Sequence, residues 1–500
     1  MVAVRGILLN ELVLFVEDDE GNLGFQSGAE VLLRRLKYSN LRVGICYAAG
    51  VSTQKMAFLK SAATLYLLDV FMWNASSVDD AINEILLSWG DIGGSCFYVA
   101  TCEDKDLTLK ISNHGWLPVV KRTVGVNTEE NSKLLLINKL EELPLTICHF
   151  NRKGTGSSVV TVGYMMKPSR EEDFAKRGAF PMYPTQNGLI FVPLIFDLPL
   201  ESQLQEVDVV LHKATDEILT IELSSSSEFS NKISYSKGMQ ELERYLQHHP
   251  DCCVIDPLNN IYPVLDRLRI EEILLGLEDL NREGRCRIRA PHFVKVDNFK
   301  EANLGERLLE AKLYLPSIVK PQVACGVADA HSMAITFRIE DFEDLSVPLP
   351  SVIQEYVDHS SLLFKFYVLG EKVFHAVKKS TPNADVLFSS YEKNGLKPIT
   401  FDSLKSLPTA KEDKQCRDEV TSKTNKHALD LGLVTDAANW LKRTLDLTIF
   451  GFDVVIQEGS GDHVIVDVNY LPSFKELPND VAIPAFWDAV KASYESRRTS

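Results

Sequence analysis

Three oxygen-bearing side chains lie near the C-terminal end of this 500-residue chain. Asp453 lies in the apolar segment FGFDVVI, while Asp467 and Asn469 lie in HVIVDVNYLP, and the turn GSGD separates the two segments. Alternate residues of a strand share a face, and a hairpin would place Asp453 across from Asp467 and Asn469. Two carboxylates and an amide oxygen suit Mg²⁺, which takes a few protein oxygens together with phosphate oxygens. The alternative is solvated acids beside a turn, although an unpaired carboxylate inside an apolar strand is costly.

A second segment, VIQEYVDHSSLLFKFYVLGEK (352–372), predicts two strands joined by a polar turn. Its backbone could contact the edge of an adenine ring while Lys365 contacts a phosphate. The alternative is a structural hairpin in which Lys365 packs its aliphatic stem and keeps its charge in water. The spacing alone favours the structural hairpin.

Basic residues also end or interrupt other apolar strands, at Lys213, Lys320 and Lys378. Lysines at strand ends are often solvated, but three of them in an acidic protein indicate a locally positive pocket. The short loop GVADAH (326–331) ends in His331, and glycine-rich loops of this kind can lie over phosphates. The chain has no GxxxxGK[ST], GxGxxG, GxSxG or HExxH motif.

Composition narrows the class of protein. Hydrophobic residues make up 45% and charged residues 24%, as in ordinary globular proteins. The net charge of −16 argues against non-specific binding to nucleic acid or to membrane surfaces. No run approaches the roughly 20 apolar residues that span a bilayer, and the N-terminus predicts a strand, not a secretory signal. The nine cysteines lack metal-binding spacing, so we expect an intracellular protein, cytoplasmic or nuclear.

The elements that must position these residues fall into successive regions. Residues 1–150 alternate strands and helices, which predicts an α/β layer with a largely parallel sheet. The predicted strands are Leu12–Val16, Leu41–Ala48, Ala63–Leu68 and Ser95–Ala100, and the predicted helices include Gly28–Leu36 and Val78–Trp89. NRKGTGSS (151–158) predicts a linker, and a second α/β region follows. Residues 290–490 are rich in strands, apart from a charged segment (407–428) expected to form an exposed loop running into a helix.

In order and spacing, several of these segments resemble the inositol-tetrakisphosphate 1-kinase (inositol 1,3,4-trisphosphate 5/6-kinase) family, whose fold is the ATP-grasp fold. The resemblance covers roughly 160–490, and the 150-residue extension before it is similar to the long plant isoform called type 4. The segments that carry it are VGYMM, DVVLHKATD, HPDCCVIDPL with VLDR, IVKPQVACG, HSMAI, VIQEYVDHSSLLFKFYVLGE, FGFDVVI and HVIVDVNYLPSF.

The resemblance implies an α/β protein with several domains. They would be an N-terminal α/β domain (1–150), a linker (151–158), a pre-ATP-grasp subdomain that binds inositol phosphate (159–260), a central ATP-grasp subdomain (261–365), a C-terminal ATP-grasp subdomain with the metal site (366–490) and a tail (491–500).

The resemblance also implies roles for individual residues. Substrate phosphates would be bound by Lys167, Arg170, Lys213, His331, Lys365, Lys378 and Asn469. ATP would be bound by Arg267, Lys320, Gln354, Glu355, Tyr356, Val357, His359, Lys365 and Ser380. Two Mg²⁺ ions would be held by Asp453, Asp467 and Asn469, and no general base is assigned. Cys325 and Ser473 depart from common residues of the family, which leaves the substrate isomer open.

The implied activity is ATP-dependent phosphorylation of inositol tris- and tetrakisphosphates by a monomer. It would include inositol 1,3,4-trisphosphate at position 5 or 6 and inositol 3,4,5,6-tetrakisphosphate at position 1. Reverse transfer to ADP and isomerase-like transfer between isomers would accompany it. Two other hypotheses are an ATP-grasp carboxylate–amine ligase and a non-catalytic inositol-phosphate sensor. Asp467 disfavours the ligase, since ligases usually have Glu there, and the intact metal set disfavours the sensor.

In the N-terminal extension, the segment FVEDDEGNL followed by GAEVLLRRLKYSNLRVGICY resembles the opening of a haloacid-dehalogenase-like fold. Enzymes of that fold carry a DxD nucleophile motif at the end of the first strand. Here we expect that strand to end at Phe15–Asp18, where the adjacent Asp18 and Asp19 lack the required spacing. The next strand ends in Cys46-Tyr47-Ala48, without the usual Ser or Thr. The sequence therefore predicts a degenerate, non-catalytic domain.

Overall fold

A computed structural model describes residues 3–73, 78–90, 94–101, 105–122, 134–155, 159–223, 233–282, 286–408 and 428–499. Most of the segment predicted as an exposed loop, residues 409–427, lies outside this description. The chain divides into two compact units. The first comprises residues 1–212, 241–254 and 494–500, and the second comprises residues 213–240 and 255–493.

A six-stranded parallel sheet forms the N-terminal part of the first unit, as the alternating pattern predicts. Its strand order is β5-β4-β1-β6-β7-β8. The strands of this sheet are β1 (Val4–Asn10), β4 (Arg42–Ala48), β5 (Asp69–Trp73), β6 (Ser95–Thr101), β7 (Leu117–Lys121) and β8 (Leu135–Ile137). A separate small hairpin consists of β2 (Phe15–Glu17) and β3 (Leu23–Phe25). Its helices are α1 (Glu11–Leu14), α2 (Ala29–Lys37), α3 (Thr53–Tyr66), α4 (Val78–Trp89), α5 (Lys105–Asn113) and α6 (Leu143–Thr155).

Both faces of this sheet are covered, which explains its continuous apolar strands. Ile7 and Leu9 belong to one buried cluster, whereas Leu8 between them belongs to another. Because neighbouring strand residues point to opposite faces, the two clusters lie on the two sides of β1.

Two predicted strands of this region are largely helical, although Phe15 and Val16 of the first lie in β2. Leu12–Val16 was expected as a strand, but residues 11–14 form α1, because the Asn10 side chain accepts a hydrogen bond from Leu12 N (2.9 Å) and caps a helix. Ala63–Leu68 was also expected as a strand, but it contains the end of α3, and the strand begins at Asp69. The buried residues Leu59, Ala62, Ala63 and Tyr66 of α3 follow helical spacing, which a short apolar window conceals.

The predicted linker at 151–158 begins inside a helix. Residues 151–155 complete α6, and residues 156–158 lie outside the described part of the chain. Asn151 is fully buried, accepts a hydrogen bond from Val4 N (2.6 Å) and donates one to Met182 O (2.7 Å). Its polar side chain suggested a solvated segment, but tertiary hydrogen bonds satisfy it in the core.

A four-stranded sheet of order β10-β9-β11-β14 follows, with β9 parallel to both of its neighbours. A separate antiparallel pair, β12–β13, lies between β11 and β14 in the sequence. This region contains β9 (Val160–Met165), α7 (Pro168–Lys176), β10 (Leu189–Pro193), α8 (Leu200–Leu204), β11 (Val209–His212), β12 (Ile218–Ile221), β13 (Ile233–Tyr235), α9 (Lys237–His248) and β14 (Cys253–Ile255). As predicted, α9 ends just before Pro250.

Two five-stranded sheets dominate the second unit. One has the order β16-β19-β17-β18-β22, and the other has the order β15-β24-β23-β20-β21. The elements are α10 (Leu258–Leu265), α11 (Arg267–Leu274), β15 (Ile288–Arg289), β16 (Phe293–Val296), α12 (Leu304–Glu310), β17 (Ser317–Pro321), β18 (Ser332–Thr336), β19 (Ser351–Glu355), β20 (Leu362–Leu369), β21 (Lys372–Lys379), α13 (Ala384–Lys393), β22 (Ile399–Asp402), α14 (Leu431–Leu445), β23 (Ile449–Ile456), β24 (His463–Tyr470) and α15 (Asn479–Thr499).

This arrangement excludes the structural hairpin considered for residues 352–372. β19 lies in the first of these sheets and β20 in the second, so residues 356–361 cross from one sheet to the other. The expected subdomain boundary at 365 falls inside β20, and β22 returns to the first sheet. Among the described residues, no helix is long and apolar enough to cross a membrane.

Candidate active site

A row of charged side chains crosses three neighbouring strands of the sheet β15-β24-β23-β20-β21. Lys365 on β20 pairs in register with Asp453 on β23, and Asp453 pairs with Asp467 on β24. Lys365 Nζ lies 3.3 Å from Asp453 Oδ2. The antiparallel hairpin and the cross-strand position of Asp453 are therefore as predicted.

Asn469 extends this row along β24. Its Nδ2 donates a hydrogen bond to Asp467 Oδ2 at 2.7 Å, so the two side chains share a face as the spacing predicts. Asn469 is exposed, whereas Asp453 and Asp467 are half-buried. Burial raises the pKa of Asp453, and Asp467 adds to this, against the opposing effect of Lys365. Solvated surface acids would not show such a shift.

The three candidate ligands fit a magnesium ion whose other ligands are waters and phosphate oxygens. Within the described residues, no group of three or more His, Cys, Asp or Glu side chains could hold a metal on its own. Two carboxylates and one amide oxygen fit a cation that keeps waters and binds phosphate oxygens.

Two buried cations and a buried carboxylate lie beside the row. Lys320 and Arg267 are 8% and 6% exposed, and Glu271, one helical turn after Arg267, is 4% exposed. Lys320 Nζ donates to Val466 O at 3.1 Å, next to Asp467. Burial lowers the pKa of Lys320 although Asp467 and Glu271 oppose this, and burial raises the pKa of Glu271 against the effect of Lys320. The site therefore contains positive and negative side chains that are buried close to one another.

Arg267 holds the loop that leads to His331. Its Nη1 donates to Pro321 O (2.6 Å), Val323 O (3.0 Å) and Ala330 O (3.1 Å), and Nη2 donates to Ala324 O (3.3 Å). Burial lowers its pKa against the attraction of Asp467. The guanidinium of the predicted ATP ligand is thus engaged mainly with backbone carbonyls.

The loop itself requires glycine at Gly326. Its φ is +90°, and a Cβ there would lie 2.7 Å from Ile218 Cδ1. His331 follows at the end of a 3-10 turn, with Nδ1 3.2 Å from Ser403 Oγ. The loop is therefore held by the Arg267 guanidinium, the left-handed Gly326 and Ser403, the residue after β22.

Lys213 is positioned by the strand that carries the metal-ligand candidates. Its Nζ donates to Tyr470 O at 2.5 Å and lies 3.9 Å from the centre of the Tyr470 ring. Lys213 is 8% exposed, and Tyr470 directly follows Asn469. The lysine predicted to bind substrate phosphate is thus held next to the predicted metal site.

The end of β19 and the segment that follows it hold the residues predicted to contact adenine. Gln354 is 2% exposed, and in the described structure its Oε1 is buried without a hydrogen-bond partner. Tyr356 Oη donates to Thr381 Oγ1 (2.8 Å), and His359 Nδ1 lies 2.6 Å from Val357 O. An unsatisfied buried acceptor is costly, so Gln354 Oε1 fits a ligand that brings a donor.

The carboxylate of Glu355 is engaged elsewhere. Arg289 binds it through two contacts of 2.8 and 2.9 Å, and His292 N donates to it at 3.0 Å. Arg289 also contacts Gln457 Oε1 (2.9 Å) on the β23–β24 turn. If Glu355 contacts a nucleotide, its backbone must do so, since this ion pair occupies its side chain.

Two further predicted residues lie at the end of β21. Lys378 Nζ forms an ion pair with Glu476 Oε1 at 2.6 Å, and Tyr367 Oη donates to the same carboxylate at 2.5 Å. Ser380 N donates to Ser361 O at 2.8 Å, so Ser380 is fixed to the crossing segment. To bind a phosphate, Lys378 must either break its ion pair with Glu476 or contact the phosphate and Glu476 at the same time.

Lys167 and Arg170 belong to the first unit. Lys167 is exposed and immediately precedes α7, and Arg170 lies half-buried in its first turn. The remaining predicted residues lie in the second unit.

Sequence reasoning missed three residues of the site: Glu271, Arg289 and Glu476. The spacing of Arg267 and Glu271, four residues apart on a helix, could have indicated Glu271. Arg289 and Glu476 carry no local signal, because their partners are distant in the sequence.

In the described part of the N-terminal domain, the end of the central strand does not carry the carboxylate nucleophile expected of an active dehalogenase-like enzyme. Its central strand β1 ends at Asn10, not at Phe15–Asp18 as predicted, because helix α1 interrupts the apolar run. Asn10 Nδ2 donates to Tyr98 Oη (3.1 Å), and the adjacent Glu11 pairs with Lys55 at 2.6 Å. An amide therefore stands at this strand end where the dehalogenase-like motif would have a carboxylate, and the absence of catalysis in this domain stays a prediction.

Family models match three parts of the chain. They are described as "ITPK4, N-terminal HAD-like domain" (residues 1–153), "Inositol 1,3,4-trisphosphate 5/6-kinase pre-ATP-grasp domain" (residues 161–261) and "Inositol 1,3,4-trisphosphate 5/6-kinase ATP-grasp domain" (residues 282–487).

Whole-chain relatives agree with these matches. Inositol-tetrakisphosphate 1-kinase 6 of Oryza sativa, in both the indica and japonica subspecies, is 52% identical over all of this chain and 90% of its own length. Inositol-tetrakisphosphate 1-kinase of Danio rerio is 28% identical over 59% of this chain and 69% of its own length. The chain therefore belongs to the inositol-tetrakisphosphate 1-kinase family, in its plant form with a haloacid-dehalogenase-like domain before an ATP-grasp kinase.

Proposed function

We propose that the protein transfers the γ-phosphoryl group of ATP to a hydroxyl of an inositol tris- or tetrakisphosphate. The observation that carries this proposal is the row Lys365–Asp453–Asp467 across three strands, with Asn469 beside it. The row places oxygen ligands for a cation beside a lysine, and phosphoryl transfer between two polyanions depends on such positioning and charge neutralisation. The names of the relatives supply the substrate class.

Asp453, Asp467 and Asn469 would hold Mg²⁺, and two ions fit the proposal. A cation held by these residues would supply positive charge that offsets the phosphate charge of ATP. Lys320 lies beside these ligands, buried and hydrogen-bonded to Val466 O, and supplies positive charge to the nucleotide phosphates. The backbone of residues 354–359, with Gln354 Oε1, would contact the adenine, and Ser380 would lie near the nucleotide.

Substrate phosphates would be bound by basic side chains. Those in the second unit are Lys213, His331, Lys365 and Lys378, and those in the first unit are Lys167 and Arg170. The attacking hydroxyl oxygen forms the new bond to the γ-phosphorus, the bond to the β-phosphate oxygen breaks, and ADP leaves. The hydroxyl proton passes to solvent, and no side chain is assigned as a base.

The same groups would support transfer in the opposite direction. An inositol pentakisphosphate and ADP present the same charges to the same lysines, so reverse transfer and exchange between isomers belong to the proposal. We place phosphorylation of inositol 3,4,5,6-tetrakisphosphate at position 1, and of inositol 1,3,4-trisphosphate at position 5 or 6, in this activity.

The test is incubation of the full chain with ATP, Mg²⁺ and individual inositol tris- and tetrakisphosphates, followed by chromatography that resolves isomers. We expect a product with one more phosphate and an equal amount of ADP. Binding of inositol phosphate without any turnover would support the sensor hypothesis instead. ADP formation that depends on a carboxylate and an amine would support the ligase.

A further inference from the structure

Helix α7 carries two of the proposed substrate-binding cations at its beginning. Lys167 precedes Pro168, the first residue of the helix, and Arg170 lies in its first turn. Both Arg170 N and Glu171 N donate to Lys167 O at 3.0 Å, so these residues move as one piece. The position of α7 therefore decides where this pair of positive charges is presented.

Glu171, the residue after Arg170, is held by two partners. Arg35 Nε lies 2.8 Å from Glu171 Oε1, and Arg35 Nη2 donates to Oε2 at 3.3 Å. Tyr164 Oη donates to Oε1 at 2.9 Å. The side chains of Arg35 and Glu171 are only 14% and 12% exposed. A two-point guanidinium–carboxylate contact fixes orientation as well as distance, so Glu171 can turn little around this pair.

Arg35 lies on α2, in the haloacid-dehalogenase-like domain, whereas Glu171 and Tyr164 lie in the pre-ATP-grasp region. Both regions are in the first compact unit. The ion pair therefore links the N-terminal domain directly to the helix of the substrate cations.

The two family domains also share one hydrophobic core. Leu32 and Leu36 of α2 pack in the same buried cluster as Met182, Ile190 and Val192 of the pre-ATP-grasp region. Met182 N donates to Ser39 O at 3.1 Å, immediately after α2. The two domains are therefore joined by one close-packed core. Small shifts in one domain are transmitted to the other through this core.

We propose that the haloacid-dehalogenase-like N-terminal domain acts as a fixed support for the inositol-phosphate site. In this role Arg35 is a positioning residue, which acts through Glu171 on Lys167 and Arg170. This inference rests on the proposed function, because it assigns substrate binding to those two residues. It gives the 150-residue extension a task that requires no chemistry of its own.

The test compares variants of the full chain in the kinase assay. Arg35→Ala should raise KM for the inositol phosphate about tenfold, while KM for ATP and kcat stay within about twofold. Arg35→Lys, which keeps the charge but loses the two-point contact, should give an intermediate KM. The double variant R35E/E171R restores an opposite pair and should recover most of the affinity. Arg34→Ala is the matched control, since the exposed Arg34 lines the same small cavity beside the pair.

Several outcomes would overturn the proposal. One is an unchanged KM for inositol phosphate in Arg35→Ala while Arg170→Ala raises it. Another is an equal effect on KM for ATP and on kcat, because general loss of structure would affect both substrates. If Arg35→Ala does not fold, Glu171→Gln replaces it, since the glutamine keeps the volume and can still accept from Tyr164. Absence of turnover in the unmodified chain would instead refute the proposed function.

Discussion

The substitution Asp467→Asn tests the core of the proposed site with little change in shape. Asp467 lies opposite Asp453 on the hairpin, accepts a hydrogen bond from Asn469 at 2.7 Å and attracts the buried Lys320. Asparagine occupies the same volume but removes one of the two carboxylates of the row. The positive groups around the site stay in place, so the change acts on the cation rather than on the fold.

The magnitude follows from the charge that is lost. Two unit charges 4 Å apart interact by about 4 kcal/mol at the effective dielectric of a partly buried site. The amide oxygen keeps part of this attraction through its dipole, so we expect a loss of roughly 3 kcal/mol in transition-state stabilisation, or about 100-fold in kcat. The Mg²⁺ concentration for half-maximal rate should rise, whereas KM for the inositol phosphate should change little, because the lysines remain.

Initial rates measured over a range of Mg²⁺ concentrations provide the assay. The control is Asp462→Asn, at the turn of the same hairpin, where Asp462 lies 3.7 Å from Arg289 Nε. At 3.7 Å this contact is longer than a hydrogen bond, so the control should retain kcat within about twofold. Circular dichroism and thermal unfolding would establish that both variants fold. If Asp467→Asn keeps the kcat and Mg²⁺ dependence of the unmodified chain, the assignment of the cation site is wrong.

Two further predictions concern the surroundings of the row. Burial would raise the pKa of Glu476, but the hydrogen bonds from Lys378 and Tyr367 outweigh it and lower the pKa to about 2. A lowered folded-state pKa stabilises the protein above the ordinary value of 4.5, and this contribution is lost as pH falls towards the folded value. Glu476→Gln should therefore lower the free energy of unfolding by about 1 kcal/mol near neutral pH, with little difference in strong acid, and urea unfolding at both pH values would check this. Arg267→Lys keeps the charge but cannot reach four carbonyl oxygens, so we expect a loss of about 2 kcal/mol in stability and a higher KM for ATP. Unchanged thermal unfolding and unchanged proteolysis of residues 321–331 would contradict the role of Arg267 in ordering the loop.

Much of the fold was predictable where local patterns are strong. The parallel α/β layer, helices such as α2 and α4, and the hairpin of β23 and β24 follow from apolar periodicity and from turn residues. The errors lie where two patterns compete. The run after Asn10 is apolar enough for a strand, but a cap begins a helix there, and Ala63–Leu68 is too short a window to reveal helical spacing.

In the candidate site, too, some residues were predictable from local spacing and others were not. Asp453, Asp467 and Asn469 are separated by few residues, so strand geometry alone predicted that they would meet. Glu476 and Arg289 could not be predicted, because their partners are 98 and 66 residues away. Such partners are chosen by the packing of sheets, which no short segment of sequence records.

The sequence by itself indicated the family and predicted the candidate cation ligands and the lysines of the apolar strands, because each is recorded in residue types at short, fixed spacings. Tertiary structure alone decided what those residues are engaged with. In the folded chain, Arg267 donates hydrogen bonds to four carbonyl groups and the Glu355 carboxylate pairs with Arg289. Arg35 pairs with Glu171, which is 136 positions away in the sequence. The physical reason is that burial forces each polar group to find a partner, and the partner is whichever group the fold brings near.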